Sequence, residues 1–383
     1  MKKSKRYRAF SLFFIIMLPV LMIFYNKQEP TVVASEIHVF EKQLPQPVMD
    51  SITFIPLQSD SSTLLGGSLR VKLYGNDIYV ADMSIGGNMT IFRFNLSGQL
   101  LNKIGKAGHG PQEYPFVTDF LIHGDTVDIL SGVGDQSKIY GFRKDGEFMY
   151  QKTIDRKGVS FEKYRDSYVI YNGYRKNVYK HRVYFTTADG KIGSKFLNDH
   201  ANSSLPGGLC WMFKNNSAVY LSEFLGNHIY RLTPQGIHMA YTFDFGKYSV
   251  PESFFDSKWP AGFKELNKNG FAHMNSFYLS SKLAAFVIIV QKEGEKLKRI
   301  NLYDDTAGHQ LYEQQFIAEE NSLFENLVSM RPDGQLVFLL YPSNLIAQKN
   351  QLEQLPVRYR EVIDNLKESD NPVIMLCKLR TTK

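Results

Sequence analysis

The chain has 383 residues but only two cysteines, Cys210 and Cys377. Two cysteines could form one disulfide in an oxidising compartment. A chain of this length, however, buries enough apolar surface to fold without a covalent crosslink. We therefore favour two buried thiols over a disulfide, and a small disulfide-stabilised scaffold is excluded.

Beyond its N-terminus the chain also lacks an excess of charge. The formal net charge is +7, yet residues 1–35 hold six Lys or Arg and one acid, Glu29, which gives +5. The remaining 348 residues carry only +2. Binding to nucleic-acid phosphates needs a basic surface on the folded domain. No nucleic-acid partner is therefore expected.

Long hydrophobic runs are absent except for one at the N-terminus. The run Ala9–Tyr25 has 17 residues, is interrupted only by Ser11 and Pro19, and follows a basic segment with five Lys or Arg. It is longer than many signal-peptide cores and short for a membrane span. Small residues at Val33-Ala34-Ser35 offer a cleavage site after Ser35.

Two alternatives for residues 1–35 therefore stay open: a cleaved signal peptide and an uncleaved signal anchor in the inner membrane. Both predict export of the rest of the chain, to the periplasm or the medium or anchored outside the cytoplasm. No cysteine lies directly after the apolar run, so a lipoprotein anchor is excluded. Residues 36–49 are expected to form a linker.

Familiar catalytic and metal-binding motifs are missing as well. The nine histidines are scattered, and no Gly-x-Ser-x-Gly motif occurs. Asp304-Asp305 lacks the alternating acids of a calcium loop, so a solvated turn is expected there. The sequence therefore predicts no catalytic residue, no metal ligand and no cofactor.

What the chain does contain is a recurring unit of strands. The clearest copy joins Ile78–Asp82, Thr90–Phe94 and Gln99–Ile104 through a turn that contains glycine. Four such turn glycines are 48, 44 and 46 residues apart: Gly98, Gly146, Gly190 and Gly236. This period matches one four-stranded blade of a β-propeller.

Six such units fit between residues 50 and 383. The sequence therefore predicts an all-β fold, a six-bladed β-propeller of four-stranded antiparallel blades. An open ring would expose a strand edge on its first and last blades. We expect the strand near Phe54 to pair with the strand near Ile374 and close the ring.

Two segments break the repeat. The first, Lys247–Asn275, has prolines, charges and five large aromatic residues without strand alternation, and is interpreted as an insertion. The second, Leu345–Lys367, is polar and helix-like, and predicts a short helical insertion near the C-terminus. Blades need neither segment to close.

Two local motifs receive structural interpretations. The glycines of Gly105–Pro115 are followed by Pro111 and Pro115 rather than by a helix, which argues against a phosphate-binding loop. We expect a tight crossing between blades, anchored by the packed ring of Tyr114. Asp82, at the end of its strand, is expected to hydrogen-bond the amides of a turn.

These features together resemble a known family. Phe54-Ile55-Pro56-Leu57, the loop with Gly-Pro-Gln-Glu-Tyr, the Asp-Gly turns and Asn371-Pro372-Val373 are similar to the six-bladed β-propeller family of Bacteroidetes, which is related to NHL-repeat propellers. The resemblance covers nearly all of residues 50–380. It implies the fold and an exported location, since family members carry signal or lipoprotein sequences, and it implies little about chemistry.

Two functions remain open. The first is a monomeric binding or scaffold module for a protein, a peptide or a glycan, because loops on a rigid fold often carry recognition. Its predicted binding residues are Trp259 and Phe255 in the insertion and Trp211 beside another loop. The second is an enzyme, a lyase or hydrolase acting at the central channel, where histidines from different blades could hold a metal.

Overall fold

The computed structural model describes residues 35–84, 87–174, 180–198, 211–258, 260–308, 310–317, 322–349 and 357–380, with the backbone alone for Trp211 and for residues 357–359. Six antiparallel sheets form the six-bladed β-propeller that the sequence predicts, and neighbouring sheets meet through their first strands. Strands are numbered in chain order, and two of them precede the first complete blade: β1 (Ser35–His38) and β2 (Met49–Pro56).

Blades 1 to 3 each take four consecutive strands. Blade 1 consists of β3 (Leu69–Tyr74), β4 (Asp77–Asp82), β5 (Ile91–Asn95) and β6 (Leu100–Ile104). Blade 2 consists of β7 (Asp119–His123), β8 (Thr126–Val133), β9 (Gln136–Arg143) and β10 (Phe148–Ile154). Blade 3 consists of β11 (Ser160–Tyr164), β12 (Ser167–Tyr171), β13 (His181–Thr186) and β14 (Ile192–Asn198).

Blades 4 and 5 follow the same plan, whereas blade 6 takes its outermost strand from the N-terminal part of the chain. Blade 4 consists of β15 (Trp211–Asn215), β16 (Ala218–Ser222), β17 (His228–Thr233) and β18 (Gly236–Asp244). Blade 5 consists of β19 (Phe271–Leu279), β20 (Leu283–Gln291), β21 (Lys298–Asp305) and β22 (Gln310–Ile317). Blade 6 consists of β23 (Leu327–Met330), β24 (Leu336–Leu340), β25 (Val373–Leu379) and the N-terminal β2.

The sequence pattern of each strand follows its place in the blade. The outer strand β10 alternates half-buried and exposed residues, because only one of its faces packs on the protein. The second strands are buried on both faces, and β20 therefore reads as the nearly continuous apolar run LAAFVIIVQ. Packed between blades, these side chains form the hydrophobic core.

The ring closes where the sequence predicts. Strand β2 pairs antiparallel with β25, with Phe54 opposite Met375 and Ile55 opposite Ile374. Beside this seam, Gly98 has a φ of +80°, and a Cβ there would lie 1.9 Å from the carbonyl oxygen of Pro56. The turn therefore needs glycine in order to approach the closing strand.

The interval 36–49, expected to be a linker, contains ordered structure. Strand β1 adds to the outer edge of blade 4, where it pairs in parallel with β18. Ile37, Val39 and Leu44 are buried, and the carbonyl of Pro45 accepts a hydrogen bond from the amide of Glu313 in blade 5. The segment from β1 to Pro45 is therefore a strap that covers the outer edge of one blade and contacts the next.

Both insertions are present, with different bounds from those expected. The first contains short 3₁₀ turns at Gly246–Tyr248 and Glu252–Phe254 and helix α1 (Ala261–Asn269), and β19 already begins at Phe271. The second contains α2 (Pro342–Ala347) and α3 (Val357–Asp364). Alternation failed to reveal the start of β19 because Phe271–Met274 are all buried.

The crossing loop between blades 1 and 2 has the predicted structure. Tyr114 is fully buried. Gly105 has a φ of +70°, and a Cβ there would lie only 2.7 Å from the Tyr114 ring, which is too close for any side chain. Asp82 accepts hydrogen bonds from the amides of Gly66 and Ser84, as expected of a turn-capping residue. Both motifs are therefore structural.

Two smaller interpretations can also be compared with the structure. Asp305 was expected to lie in a solvated turn, but it is buried and its carboxylate accepts hydrogen bonds from the amides of Ala307 and Gly308. That prediction is wrong, because the side chain caps the turn from within. Cys377 is a buried free thiol, and burial raises its pKa to about 12, whereas Cys210 lies outside the described residues.

Candidate functional site

The two faces of the propeller differ in the length of their connections. We call upper the face with the connections between blades and between the second and third strands of each blade. The lower face has the turns between first and second strands, which are as short as the two residues between β3 and β4. All three helices lie in upper-face connections, so a binding site is best sought there.

A half-open pocket of about 230 Å³ lies on the upper face between blades 5 and 6. Its walls come from the start of β21, the segment before β23, the end of β24, and helix α2. Four leucines line it together with seven residues that carry polar groups. The polar residues are Arg299, Ser322, Glu325, Asn326, Tyr341, Asn344 and Gln348. We call this cavity the Arg299 pocket.

Arg299 reaches the pocket because of its register on β21. Ile300 and Leu302 pack in the cluster shared with blade 4, whereas Asn301 and Arg299 turn towards blade 6. There the Asn301 amide nitrogen donates to the carbonyl of Phe324 at 2.6 Å. Alternation along one strand therefore separates an apolar face from a polar one.

The guanidinium of Arg299 is only partly used by the protein. Its Nη1 donates to the backbone oxygen of Glu325 at 3.2 Å and lies 3.5 Å from Oδ1 of Asn326. Its Nε is buried, and no acceptor among the described residues bonds it. Buried donors are nearly always paired with protein or ordered water, so an unpaired donor on an arginine that lines a pocket is a candidate for another acceptor.

The electrostatics of the pocket agree with this geometry. Burial lowers the pKa of Arg299, and the opposing influence of Glu325 and of Tyr278 is smaller. Burial also raises the pKa of Tyr341, whose hydroxyl donates to the carbonyl of Gly67 at 3.1 Å. The pocket therefore holds a cation whose desolvation is incompletely compensated by the protein.

A second polar group occupies the first strands around the propeller axis. Asp119 is fully buried, with Arg70 at 2.5 Å and Lys72 at 3.7 Å from Oδ1, and Ser160 donates to Oδ2 at 2.8 Å. Glu162 lies nearby, and burial raises its pKa. In this cluster Asp119 joins the first strands of blades 1, 2 and 3.

Within the described part of the chain, no group of three or more His, Cys, Asp or Glu side chains could hold a metal ion. The inner-strand cluster contains two acids and no histidine. Its contacts are those of an electrostatic joint between blades. Asp119 is held by donors on three sides, which leaves it little freedom to act on a substrate.

The aromatic insertion packs onto blades 3 to 5. Phe254, Leu266 and Phe271 are buried with Tyr174 and Leu225, which follow the second strands of blades 3 and 4. Phe255 is half-buried and stacks on Tyr174, with ring centroids 6.0 Å apart. The described part of the insertion is therefore fixed to the propeller by its own aromatic side chains.

A buried ion pair supports this packing from below. Arg182 on β13 donates through Nε and Nη2 to the two oxygens of Glu223, at 2.6 and 3.0 Å. Tyr171 donates to the same carboxylate at 3.1 Å, and the guanidinium lies 4.7 Å from the centre of the Tyr174 ring. The bidentate pair holds Tyr174 under Phe255.

The three predicted binding residues are described by the structure to different extents. Phe255 lies at the edge of the aromatic cluster on the upper face. The backbone of Trp211 begins β15 and pairs with Ser222, but its side chain is outside the described part, as is the whole of Trp259. Phe255 does not line the Arg299 pocket.

Sequence reasoning missed the Arg299 pocket altogether. Its residues come from positions 299 to 348 and from four separate elements, so no spacing rule connects them. One signal was available, since Arg299 and Asn301 put polar side chains on one face of a strand that is mostly buried. Polar residues at intended core positions indicate either a structural hydrogen bond or a functional site.

Comparison with known proteins gives a family. The family model described as a domain of unknown function (DUF4934) matches residues 27–378, nearly the whole chain, and the chain belongs to this family. No curated protein matches the sequence. No helix in the described part of the chain is long and apolar enough to cross a membrane.

Solved structures show the same fold. A Bacteroides fragilis protein has a TM-score of 0.73 at 16% identity over 92% of this chain and 100% of its own. Its name describes it, provisionally, as an exported protein. A member of the DUF4221 family from Bacteroides vulgatus has a TM-score of 0.57 at 12% identity over 89% of this chain and 100% of its own. At these identities the likeness concerns the fold, and the Bacteroides sources agree with the family resemblance.

Proposed function

We propose that the protein is an exported binding module that holds a small polar ligand, or the polar end of a peptide or glycan, in the Arg299 pocket. The observation that carries this proposal is the partly unpaired guanidinium of Arg299 in a half-open pocket. A rigid ring of six blades positions the pocket walls, so little ordering is needed when a ligand binds. The relationship to NHL-repeat propellers stays a prediction.

The size of the pocket limits the ligand. Pockets for drug-sized ligands have volumes of about 300–1,000 Å³, and this one is smaller at about 230 Å³. A single sugar ring or a single amino acid suits such a space. A larger partner would insert only one end, and the rest would lie on the upper face.

The aromatic side of the upper face extends this proposal. Phe255 and the two tryptophans, Trp211 and Trp259, stay our predicted contacts for the remainder of a larger partner. Substitution of Trp259 with Ala separates this role from packing. A contact residue should leave the melting temperature nearly unchanged while weakening the capture of a partner, whereas a packed tryptophan should cost about 3–5 kcal/mol.

The second candidate, an enzyme at the central axis, has one observation in its favour. Glu162 is a buried carboxyl with a raised pKa, and such groups occur at active sites. The two functions make different predictions for one variant. Glu162→Gln should leave ligand binding at the Arg299 pocket unchanged if the sites are separate, and should abolish turnover if the axis is catalytic.

Binding itself is tested by a stability screen. Purified residues 35–383 are heated with a panel of amino acids, short peptides and mono- and disaccharides, and compared with Arg299→Gln. The proposal predicts that at least one compound raises the melting temperature of the wild type but not of the variant, because a ligand that binds only the folded state stabilises it. Stabilisation that survives in Arg299→Gln would place the site elsewhere.

Export is tested separately. The basic segment and the apolar run Ala9–Tyr25 motivate it, and alkaline phosphatase fused after residue 50 reports it, because that enzyme matures only outside the cytoplasm. We predict an active fusion. A stable but inactive fusion would contradict the proposed location.

A further inference from the structure

We infer that the Arg299 pocket recognises a free α-amino acid with an apolar side chain, with its carboxylate on Arg299 and its ammonium group near Glu325. This inference rests on the proposed function and names the ligand class of the same pocket. It follows from three features of the pocket walls: the unused donors, the paired charges and the leucines.

The unused donors fit a carboxylate. A guanidinium has five N–H groups in a planar fork, and a carboxylate can accept two of them side by side. The described protein groups engage only Nη1 of Arg299, through Glu325 and Asn326. The edge formed by Nε and Nη2 therefore has no protein acceptor and could receive two ligand oxygens.

The paired charges fit a zwitterion. Glu325 lines the pocket, its backbone oxygen accepts a hydrogen bond from Arg299, and its negative charge acts on the guanidinium, so the pocket wall carries charges of both signs. An α-amino acid carries an ammonium group and a carboxylate group that are both bonded to its α-carbon. A neutral sugar would offer hydroxyl acceptors but no negative charge to the cation, and a sugar acid would bring a negative charge towards Glu325 without an ammonium group to offset it.

The apolar wall fits an aliphatic or aromatic side chain. Four leucines line the cavity beside the polar groups: Leu323, Leu339, Leu340 and Leu345. Burying a side chain of the size of leucine against them would add hydrophobic stabilisation that glycine cannot supply. The pocket volume leaves room for one residue and not for a folded segment.

The ligand series tests each group in turn by titration calorimetry on the wild-type protein. L-leucine has both charges and the side chain, leucinamide lacks the carboxylate, N-acetyl-L-leucine lacks the ammonium group, and glycine lacks the side chain. We expect leucine to bind, and leucinamide and N-acetyl-L-leucine to bind about 10- to 100-fold more weakly, as for the loss of one charged hydrogen-bonding group. Glycine should also bind about 10- to 100-fold more weakly, because it buries no apolar side chain.

Two variants assign the groups to residues. In Arg299→Gln, leucine and leucinamide should bind with similar affinity, because the partner of the carboxylate is gone. In Glu325→Gln, leucine and N-acetyl-L-leucine should bind similarly. Arg331→Gln is the matched control, since Arg331 lies in the lower-face turn of blade 6 and should keep the full wild-type pattern.

The outcomes separate this inference from the proposed function. A saccharide or blocked peptide that binds in an Arg299-dependent way, without leucine binding, overturns the amino-acid assignment and leaves the binding proposal standing. Leucine binding that is unchanged in both variants overturns the placement. If no compound binds the wild type at all, both the inference and the proposed function are wrong.

Discussion

Two of the interfaces between blades hold a charged side chain in different ways. Between blades 2 and 3, Asp128 is fully buried and accepts hydrogen bonds from Tyr150 and Tyr168, each at 2.6 Å, and contacts His123 at 2.9 Å. Between blades 5 and 6, Arg299 is left with an unpaired Nε.

The difference teaches how to tell a structural polar group from a functional one. Every oxygen of Asp128 has a donor within the protein, so the group completes a joint between blades and needs nothing further. Arg299 borders a pocket and keeps donors that the described protein does not use. A group of the first kind should matter for stability, and one of the second kind should matter for binding.

Removing the carboxylate of the completed joint should have the largest effect. Asp128→Ala leaves the buried hydroxyls of Tyr150 and Tyr168 without their acceptor, at a cost of about 3–5 kcal/mol in the free energy of unfolding. Denaturant unfolding measures it. Asp125→Ala is the control, because Asp125 is exposed and pairs with Lys144 at the surface. A loss for Asp128→Ala as small as that of the control would contradict the comparison.

A second satisfied group extends the comparison to the seam. Asn371 is buried, donates through Nδ2 to the carbonyls of Gln58 and Thr63 at 2.6 and 2.7 Å, and accepts from the amide of Leu65 at 2.9 Å. Asn371→Ala should therefore cost about 2–4 kcal/mol of unfolding free energy.

Asn365→Ala is the matched control for the seam, because Asn365 is exposed and makes one hydrogen bond to the carbonyl of Glu361. It should leave the unfolding midpoint close to that of the wild type. If both asparagine variants unfold at the same denaturant concentration, the seam does not depend on Asn371.

Glu162 sharpens the comparison through pH. Burial raises its pKa above the ordinary 4.5. Its contribution to stability is therefore fully present below about pH 4.5 and is lost as the pH rises through the raised value. Relative to Glu162→Gln, the wild type should lose stability as the pH rises above about 4.5.

The stability difference between the wild type and Glu147→Gln serves as the reference, since the exposed Glu147 side chain makes a surface ion pair with Arg143. A Glu162→Gln difference that does not change with pH, or that changes in the opposite direction, would show that Glu162 is not held in a desolvated site.

Arg299 should have the smallest effect on stability. Its burial is incompletely compensated, and replacing such a cation is often neutral or stabilising. Arg299→Gln should therefore change the free energy of unfolding by less than about 1 kcal/mol in either direction. A loss as large as that of Asp128→Ala would mean that Arg299 is a structural joint.

Features with a local physical cause could be predicted from the sequence. The pairing of the strand near Phe54 with the strand near Ile374 follows from alternation and from the need to leave no open edge. Tyr114 beside Gly105 follows from a glycine-rich crossing loop with one large ring to pack. For the loop, the pattern within a few residues specifies the contact, and for the closing strands the repeat of blades specifies which two strands must meet.

Features that depend on contacts outside the repeat of blades could not be predicted. Strand β1 has only four residues, and its pairing with β18, some 200 positions away, left no periodicity to detect. Helix α1 was hidden by the prolines and aromatics around it. The Arg299 pocket requires that blades 5 and 6 be placed side by side, and only the folded ring provides that information.

The most direct test observes the unpaired donor itself. In protein labelled with ¹⁵N at arginine Nε, the resonance that disappears in Arg299→Gln identifies Arg299. We predict that this resonance shifts when L-leucine, or whichever compound of the panel stabilises the protein most, is added to saturation, and that the resonance of Arg331 stays in place. A stabilising compound that leaves the Arg299 resonance unmoved, or a panel in which no compound moves it, would contradict the account.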